Sequence, residues 1–192
     1  MEVLTPPQSH RLLCGKVLEA DVNCLVEKPF TLTSNEADEL MRLARAVNRK
    51  LFVIHNYSFV PAYVKAKEAV SRGAVGTVLN VDVFYSMPLS SEFLDPHHWT
   101  HAIPGDALGE IAPHPLYLLL EFVDNIERVS SIFTKRDTNK LIPHDEMKLL
   151  LEGKDAIGSV TVITGVGRDS RCAYIDVCGS RGVGQTRLAT LS

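Results

Sequence analysis

Two short stretches and one loop hold the residues with chemistry to offer. In "NCLVEKP", Lys28 stands between Glu27 and Pro29 where an apolar run ends. If that run is a strand of a parallel sheet, its carboxyl end is where open α/β sheets place their ligands. A partly desolvated lysine there, pinned by a proline that fixes the local backbone, can donate a hydrogen bond to a substrate oxygen or act as an acid/base group with a lowered pKa. The alternative is a solvated surface lysine without function. In "GDALGEIAPHPLYLL", Glu110 and His114 are four positions apart. On one continuous helix that spacing stacks them on one face, where the carboxylate would orient the imidazole and raise its basicity. Pro113 and Pro115 work against a regular helix, since each lacks an N–H and crowds the preceding turn. A helix-surface pair with no function is the alternative here.

The loop is "SMPLSSEFLDPHHWTHAIPGDA", residues 86–107, which lacks periodicity and holds three prolines. A long loop of this kind usually covers a site. His97, His98 and His101 surround Trp99 within it. A zinc triad, and with Glu110 a metal-dependent hydrolase, is one reading. Adjacent histidines on a loop rarely converge, however, and no acid or thiol stands beside them at a recognised ligand spacing, so no metal is expected. Imidazole and indole edges over a pocket suit a hydroxyl-rich ligand equally well. "GSRGVG", residues 179–184, lies between two strand-like runs and reads as a hairpin turn rather than a phosphate cradle; the chain contains no G-x-G-x-x-G.

The elements that must position these groups change character along the chain. Leu12, Leu13, Val17 and Leu18 recur at helical spacing, and "NCLVEKP" follows as a strand bounded by Pro29. Thr33 and Glu36 stand in capping-box relation ahead of a helix whose apolar stripe is Ala37, Leu40, Met41, Ala44 and Val47. "KLFVIHN", 50–56, is a continuous apolar strand. Two strands alternating with two helices predict parallel β/α units. A helix from Pro61 to about Gly73 comes next, then a strand in which Leu79, Val81, Val83 and Tyr85 alternate with Asn80, Asp82 and Phe84. An apolar helix is predicted over 107–123. Short strands follow at "ERVSSIFTK", "MKLLLEG", "AIGSVTVIT", "RCAYIDVCG" and "GVGQTRLATL". The fold class is therefore α/β then α+β, with the boundary at residue 55: 1–55 and 56–192.

Composition narrows the partners. The 192 residues are 45% hydrophobic with a formal net charge of −3, enough to bury a core. Without a basic excess or a run of like charges, neither nucleic acid nor a membrane surface is expected as a partner; a small molecule is. The longest apolar segment, "LYLLLEFV", is far short of a membrane span, no leader pattern opens the chain, and cytoplasm is the default compartment. Cys14, Cys24, Cys172 and Cys178 lack C-x-x-C spacing and read as reduced packing thiols.

Taken together, "VLTPPQSH", "CLVEKPFTLTSNEADEL", "HNYSFVPAYVKAKEAVSRGAVGTVLNVDVFY" and "GDALGEIAPHPLYLLLEFV" resemble the Gfo/Idh/MocA oxidoreductase family over nearly the whole chain. The resemblance implies that 1–55 is the C-terminal remnant of a Rossmann dinucleotide-binding domain. It implies that 56–192 is a substrate-binding and oligomerisation domain with a largely antiparallel open sheet. The implied activity is hydride transfer between NAD or NADP and a sugar, polyol or related secondary alcohol. Lys28 matches the family's catalytic lysine and His114 the histidine that exchanges the hydroxyl proton. Glu110 stands where the family usually has Asp. Thr5, Pro6, His10, Glu27, Lys28 and Asn56 would line the nicotinamide-ribose side, and Lys28, His98, Trp99 and His114 the substrate side. The family's opening strand and glycine-rich pyrophosphate loop are absent from the sequence, so the chain is expected to be a fragment, cut at both ends and inactive alone. A non-catalytic binding or oligomerisation module of the same family is the alternative, with homo-oligomers forming through the C-terminal sheet.

Overall fold

A computed structural model describes residues 1–88, 90–136, 140–167 and 171–190. Three short strands, β1 (Glu2–Val3), β2 (Cys24–Val26) and β3 (Leu51–Val53), pair in parallel in the order β1-β2-β3. The sequence predicts two strands here, and the structure adds β1. Two residues are too few to show a period; their strand character comes from the partner, through Leu25 N–H to Met1 O at 2.9 Å and Glu27 N–H to Val3 O at 3.0 Å. Helices α1 (His10–Glu19) and α2 (Ser34–Ala46) connect the strands. Val3, Leu18, Val26 and Leu40 form their common core with Cys14 and Cys24. Thr33 caps α2 by accepting Glu36 N–H at 3.3 Å, and the Glu36 carboxylate returns to Leu32 N–H at 3.0 Å. All four cysteines are unpaired, and burial next to Cys24 pushes the Cys14 thiol up to about 12.

Helix α3 (Pro61–Ser71) begins on proline and ends in a Schellman turn. Gly73, at φ +81°, sends its N–H to Val70 O at 2.8 Å, while Ala74 N–H reaches Ala69 O at 3.0 Å. Beyond it lies a six-stranded sheet. It comprises β4 (Val78–Met87), β5 (Arg128–Thr134), β6 (Glu146–Glu152), β7 (Ile157–Thr164), β8 (Cys172–Gly179) and β9 (Gly182–Thr190). The last predicted strand extends one residue further, to Leu191, which lies outside the described residues, as does Leu89 in the 86–107 loop. The spatial order is β5-β6-β7-β4-β8-β9, antiparallel throughout except for the parallel pair β4/β7. The strands after residue 127 are thus no simple meander, because β4 inserts at the centre. "GSRGVG" makes the β8/β9 hairpin, with Gly179 opposite Gly182.

The segment predicted as one helix over 107–123 is two, α4 (Asp106–Ile111) and α5 (Pro113–Leu119). Pro113 and Pro115 have no N–H to return to Gly109 and Ile111, so two bonds of the ladder are missing on either side of the junction, while Ala112 itself stays helical and bonds Leu108 O at 2.8 Å and Leu116 N–H at 3.2 Å. With α3 these helices cover one face of the large sheet, where Val81, Val83, Val160, Val162 and Ile175 pack against Tyr63, Ile111, Leu118 and Leu119. Among the described residues no helix covers the other face, which presents Phe84 stacked on Tyr174 with exposed Ile132, Leu150 and Val183. Among the described residues no helix is long and apolar enough to cross a membrane.

Candidate active site

Beyond β2 the chain continues through Glu27 and Lys28, with the Lys28–Pro29 peptide bond cis. The Lys28 ammonium contacts the Glu110 carboxylate and donates to the Glu110 carbonyl at 3.0 Å. Both side chains are largely buried, at 9% and 19% exposure. Burial pushes Lys28 down to about 8, with the Glu27 carboxylate opposing. Two of its three N–H donors are used on Glu110, and among the described residues none accepts the third.

Glu110 does not orient His114. The expected i,i+4 pair is not made: Glu110 on α4 is taken by Lys28, and His114 lies on α5 with a different partner. Nor is the imidazole made more basic. Burial, then the charge of Lys28, then His55 push it down to about 3, so it is neutral at physiological pH. The partner of His114 Nδ1 is Tyr117 Oη, at 3.0 Å and one helical turn away. That hydroxyl donates to Asn56 Oδ1 at 3.2 Å and accepts Tyr57 N–H at 3.1 Å. Having spent its hydrogen on Asn56, Tyr117 takes Nδ1–H from His114, and Nε2 keeps a lone pair. Three tyrosines fix the ring. Tyr57 meets it edge-on at 5.0 Å, Tyr85 stacks at 6.1 Å, and Tyr117 meets it edge-on at 5.8 Å with His55 stacked behind at 4.1 Å.

His114, Glu110, Asn56, Tyr57, Tyr85, His98, Trp99 and Arg171 line a cleft of about 430 Å³. The 86–107 loop walls one side of it through Met87, Phe93, His98, Trp99 and Thr100, with single helical turns at Ser91–Leu94 and Trp99–Ala102. The loop is tied to the first sheet by Gln8 Nε2, which donates to Trp99 O at 3.3 Å. The three loop histidines do not converge. His97 is exposed, His98 Nδ1 meets Thr100 Oγ1 at 2.9 Å, and His101 Nδ1 meets Asp106 Oδ2 at 2.9 Å. Glu110, the acid the hydrolase reading needs, is bound to Lys28.

The residues assigned to a dinucleotide divide. Thr5 and Pro6 follow β1, Glu27 and Lys28 follow β2, and Asn56 follows β3, so they gather at the carboxyl edge of one parallel sheet. Thr5 and Pro6 are exposed, and Glu27 Oε2 is buried with no hydrogen-bond partner among the described residues. A carboxylate oxygen in that state calls for a hydroxyl or N–H donor, which a ribose offers. His10 differs from the expectation. It is fully buried, with Nε2 at 2.6 Å from Thr5 O and Nδ1 at 3.0 and 3.1 Å from Pro29 O and Phe30 O. Both ring nitrogens are spent on backbone carbonyls, so His10 clamps the two loops together instead of touching a ligand.

Tyr57, Tyr85, Tyr117 and Arg171 do not stand out in the sequence. Tyr117 had one available signal, its i,i+3 spacing from His114; the others come from distant segments.

The comparisons agree with this geometry. Residues 1–55 match the model for the oxidoreductase family with an NAD-binding Rossmann fold, and residues 63–184 match the GFO/IDH/MocA C-terminal domain. The chain is 26% identical over 133 residues to "Oxidoreductase P35" of Formosa agariphila, covering 66% of this chain and 41% of that protein. It is 30% identical over 135 residues to the dTDP-3,4-didehydro-2,6-dideoxy-alpha-D-glucose 3-reductase of Streptomyces violaceoruber, covering 69% and 38%. An inositol dehydrogenase homolog from Azotobacter vinelandii, solved with NADH and myo-inositol, superimposes with a TM-score of 0.80 at 25% identity over 96% of this chain and 50% of that one. The chain thus spans half or less of the length of these relatives. The sheet order, the Lys28–Glu110 pair beside His114 and both family matches lead to one conclusion: this chain belongs to the GFO/IDH/MocA oxidoreductase family.

Proposed function

We propose that the cleft is the site of NAD(P)-dependent oxidation or reduction of a carbohydrate-like secondary alcohol. The observation that carries this reading is the buried Lys28–Glu110 pair, set beside a neutral, aromatically caged His114 at the carboxyl edge of a parallel sheet. When bound, the nicotinamide accepts or supplies the hydride. Thr5, Pro6, Glu27 and Asn56 hold its ribose side, with Glu27 Oε2 taking a hydroxyl donor. Lys28 donates its free N–H to the substrate oxygen and stabilises the negative charge that grows there. Glu110 holds that ammonium in place. His114 Nε2 takes the hydroxyl proton in oxidation and returns it in reduction, while His98 and Trp99 contact the sugar from the loop.

The inositol dehydrogenase homolog bound to myo-inositol and the nucleotide-sugar reductase support a polyol or sugar substrate. Four unpaired cysteines suit a reducing compartment, and we place the reaction in the cytoplasm. The uncovered face of the large sheet, with Phe84, Tyr174, Ile132, Leu150 and Val183, suits a second copy of the chain. That face also favours a second reading, in which the chain is a non-catalytic assembly module.

The test is a titration with NADH and NADPH, followed by nicotinamide fluorescence. It uses the chain alone and the chain joined to the upstream half of a relative's dinucleotide-binding domain, and is followed by turnover with polyols and sugars. Lys28→Ala is expected to lower turnover by about 10²- to 10⁴-fold without loss of folding. A wild-type rate in that variant refutes the assignment, and failure of both forms to bind either nucleotide favours the assembly module.

A further inference from the structure

The charge balance of the cleft says something about what enters it. Its lining contains one carboxylate, Glu110, and that group is already in contact with Lys28. Arg171, immediately ahead of β8, lines the same cleft and has no ion-pair partner among the described residues. Its neighbour across the sheet is the end of β4, where Ser86 pairs with Cys172 and Tyr85 with Ala173. The guanidinium is close enough to act on the Tyr85 phenol electrostatically, and the Tyr85 ring stacks on His114. The cleft is therefore lined by His114 and by Glu110, which holds Lys28, for the reacting hydroxyl, by Tyr57, Tyr85 and Trp99, and by a half-buried arginine near Tyr85.

A guanidinium offers a planar fork of donors that fits a carboxylate or a phosphate with two parallel hydrogen bonds. A neutral polyol leaves that fork unmatched in a partly desolvated cleft. We infer that the cleft takes an acidic carbohydrate, a sugar or polyol whose carboxylate or phosphate pairs with Arg171 while a ring hydroxyl lies against Lys28 and His114. This rests on the alcohol-oxidoreductase reading and narrows its substrate class to anionic sugars.

Trp99 is the single tryptophan of the chain and lines the cleft, so its emission reports occupancy. The full 192-residue chain is titrated with methyl glucoside, methyl glucuronide and glucose 6-phosphate, with calorimetry in parallel. At least one acidic probe is expected to bind about 10- to 100-fold tighter than the neutral glycoside, as a charge-assisted pair allows. The tighter of the two acids identifies the anion. Arg171→Gln should bring the acids to the affinity of the glucoside and leave the glucoside unchanged, while Arg171→Lys keeps part of the preference. Equal binding of all three sugars by the wild-type chain overturns this inference alone, as does a preference that survives Arg171→Gln. Absence of heat and of emission change with every sugar overturns it together with the carbohydrate reading of the site.

Discussion

Tyr117→Phe removes one oxygen and tests how His114 is held. In the wild-type chain that oxygen takes His114 Nδ1 at 3.0 Å and Tyr57 N–H at 3.1 Å, and donates to Asn56 Oδ1 at 3.2 Å. Two of the three partners have recourse. Tyr57 N–H also reaches Asn56 Oδ1 at 3.0 Å, and Asn56 is exposed to water. His114 has none on its Nδ1 side, because the ring is buried in its tyrosine cage. A buried donor left unpaired costs about 1–3 kcal/mol. The ring escapes most of that by moving its proton to Nε2, which faces the cleft. Nε2 then changes from acceptor to donor and cannot take a substrate proton. The expected result is a small loss of stability, at most about 3 kcal/mol, with a switch from the Nδ1–H to the Nε2–H tautomer. The assay is ¹⁵N correlation of the imidazole nitrogens, in which a protonated and a bare nitrogen are well separated, alongside a denaturant melt. In a form competent for turnover, kcat should fall about 10²-fold with KM little changed. An Nε2–H tautomer in the wild-type chain, or an unchanged tautomer in Tyr117→Phe, refutes the reasoning.

Two other outcomes follow from the same geometry. His114, lowered to about 3 by burial and Lys28, should stay neutral down to about pH 4. Its unfolded counterpart takes up a proton near pH 6.5, so the unfolded chain binds more protons and stability falls by about 1.4 kcal/mol per pH unit on acidification between about 6.5 and 3. An NMR midpoint near 6 would contradict the burial argument, and in Lys28→Ala the midpoint should rise because the neighbouring charge is gone. Gly109→Ala should destabilise by about 1–3 kcal/mol, since the added methyl meets the Pro104 carbonyl, which has no side-chain freedom to yield. As Gly109 precedes Glu110, the ammonium of Lys28 should also lose its partner, visible as a further drop in its pKa; a silent substitution on both counts rules out the tight seat of α4 on the 104 turn.

Much of the frame was legible before any coordinates. The alternation of "CLV", the α2 stripe and "KLFV" reads as parallel β/α units, because backbone sterics give strands and helices different periods that a single stretch of chain displays. Lys28 at a strand end, the proline start of α3 with its Gly73 stop, and the 179–182 hairpin are local in the same sense. Tertiary structure alone decided the meetings between distant segments. Lys28 joins Glu110 across 82 positions, and Tyr57 joins Tyr117 across 60. β4 takes the centre of the sheet between β7 and β8, which brings Tyr85 to His114 and Arg171 to the cleft. The i,i+4 spacing of Glu110 and His114 misleads for the same reason. Spacing sets which side chains can be neighbours but not which partners the rest of the fold brings: Lys28, 82 positions away, takes Glu110, and Tyr117 takes His114.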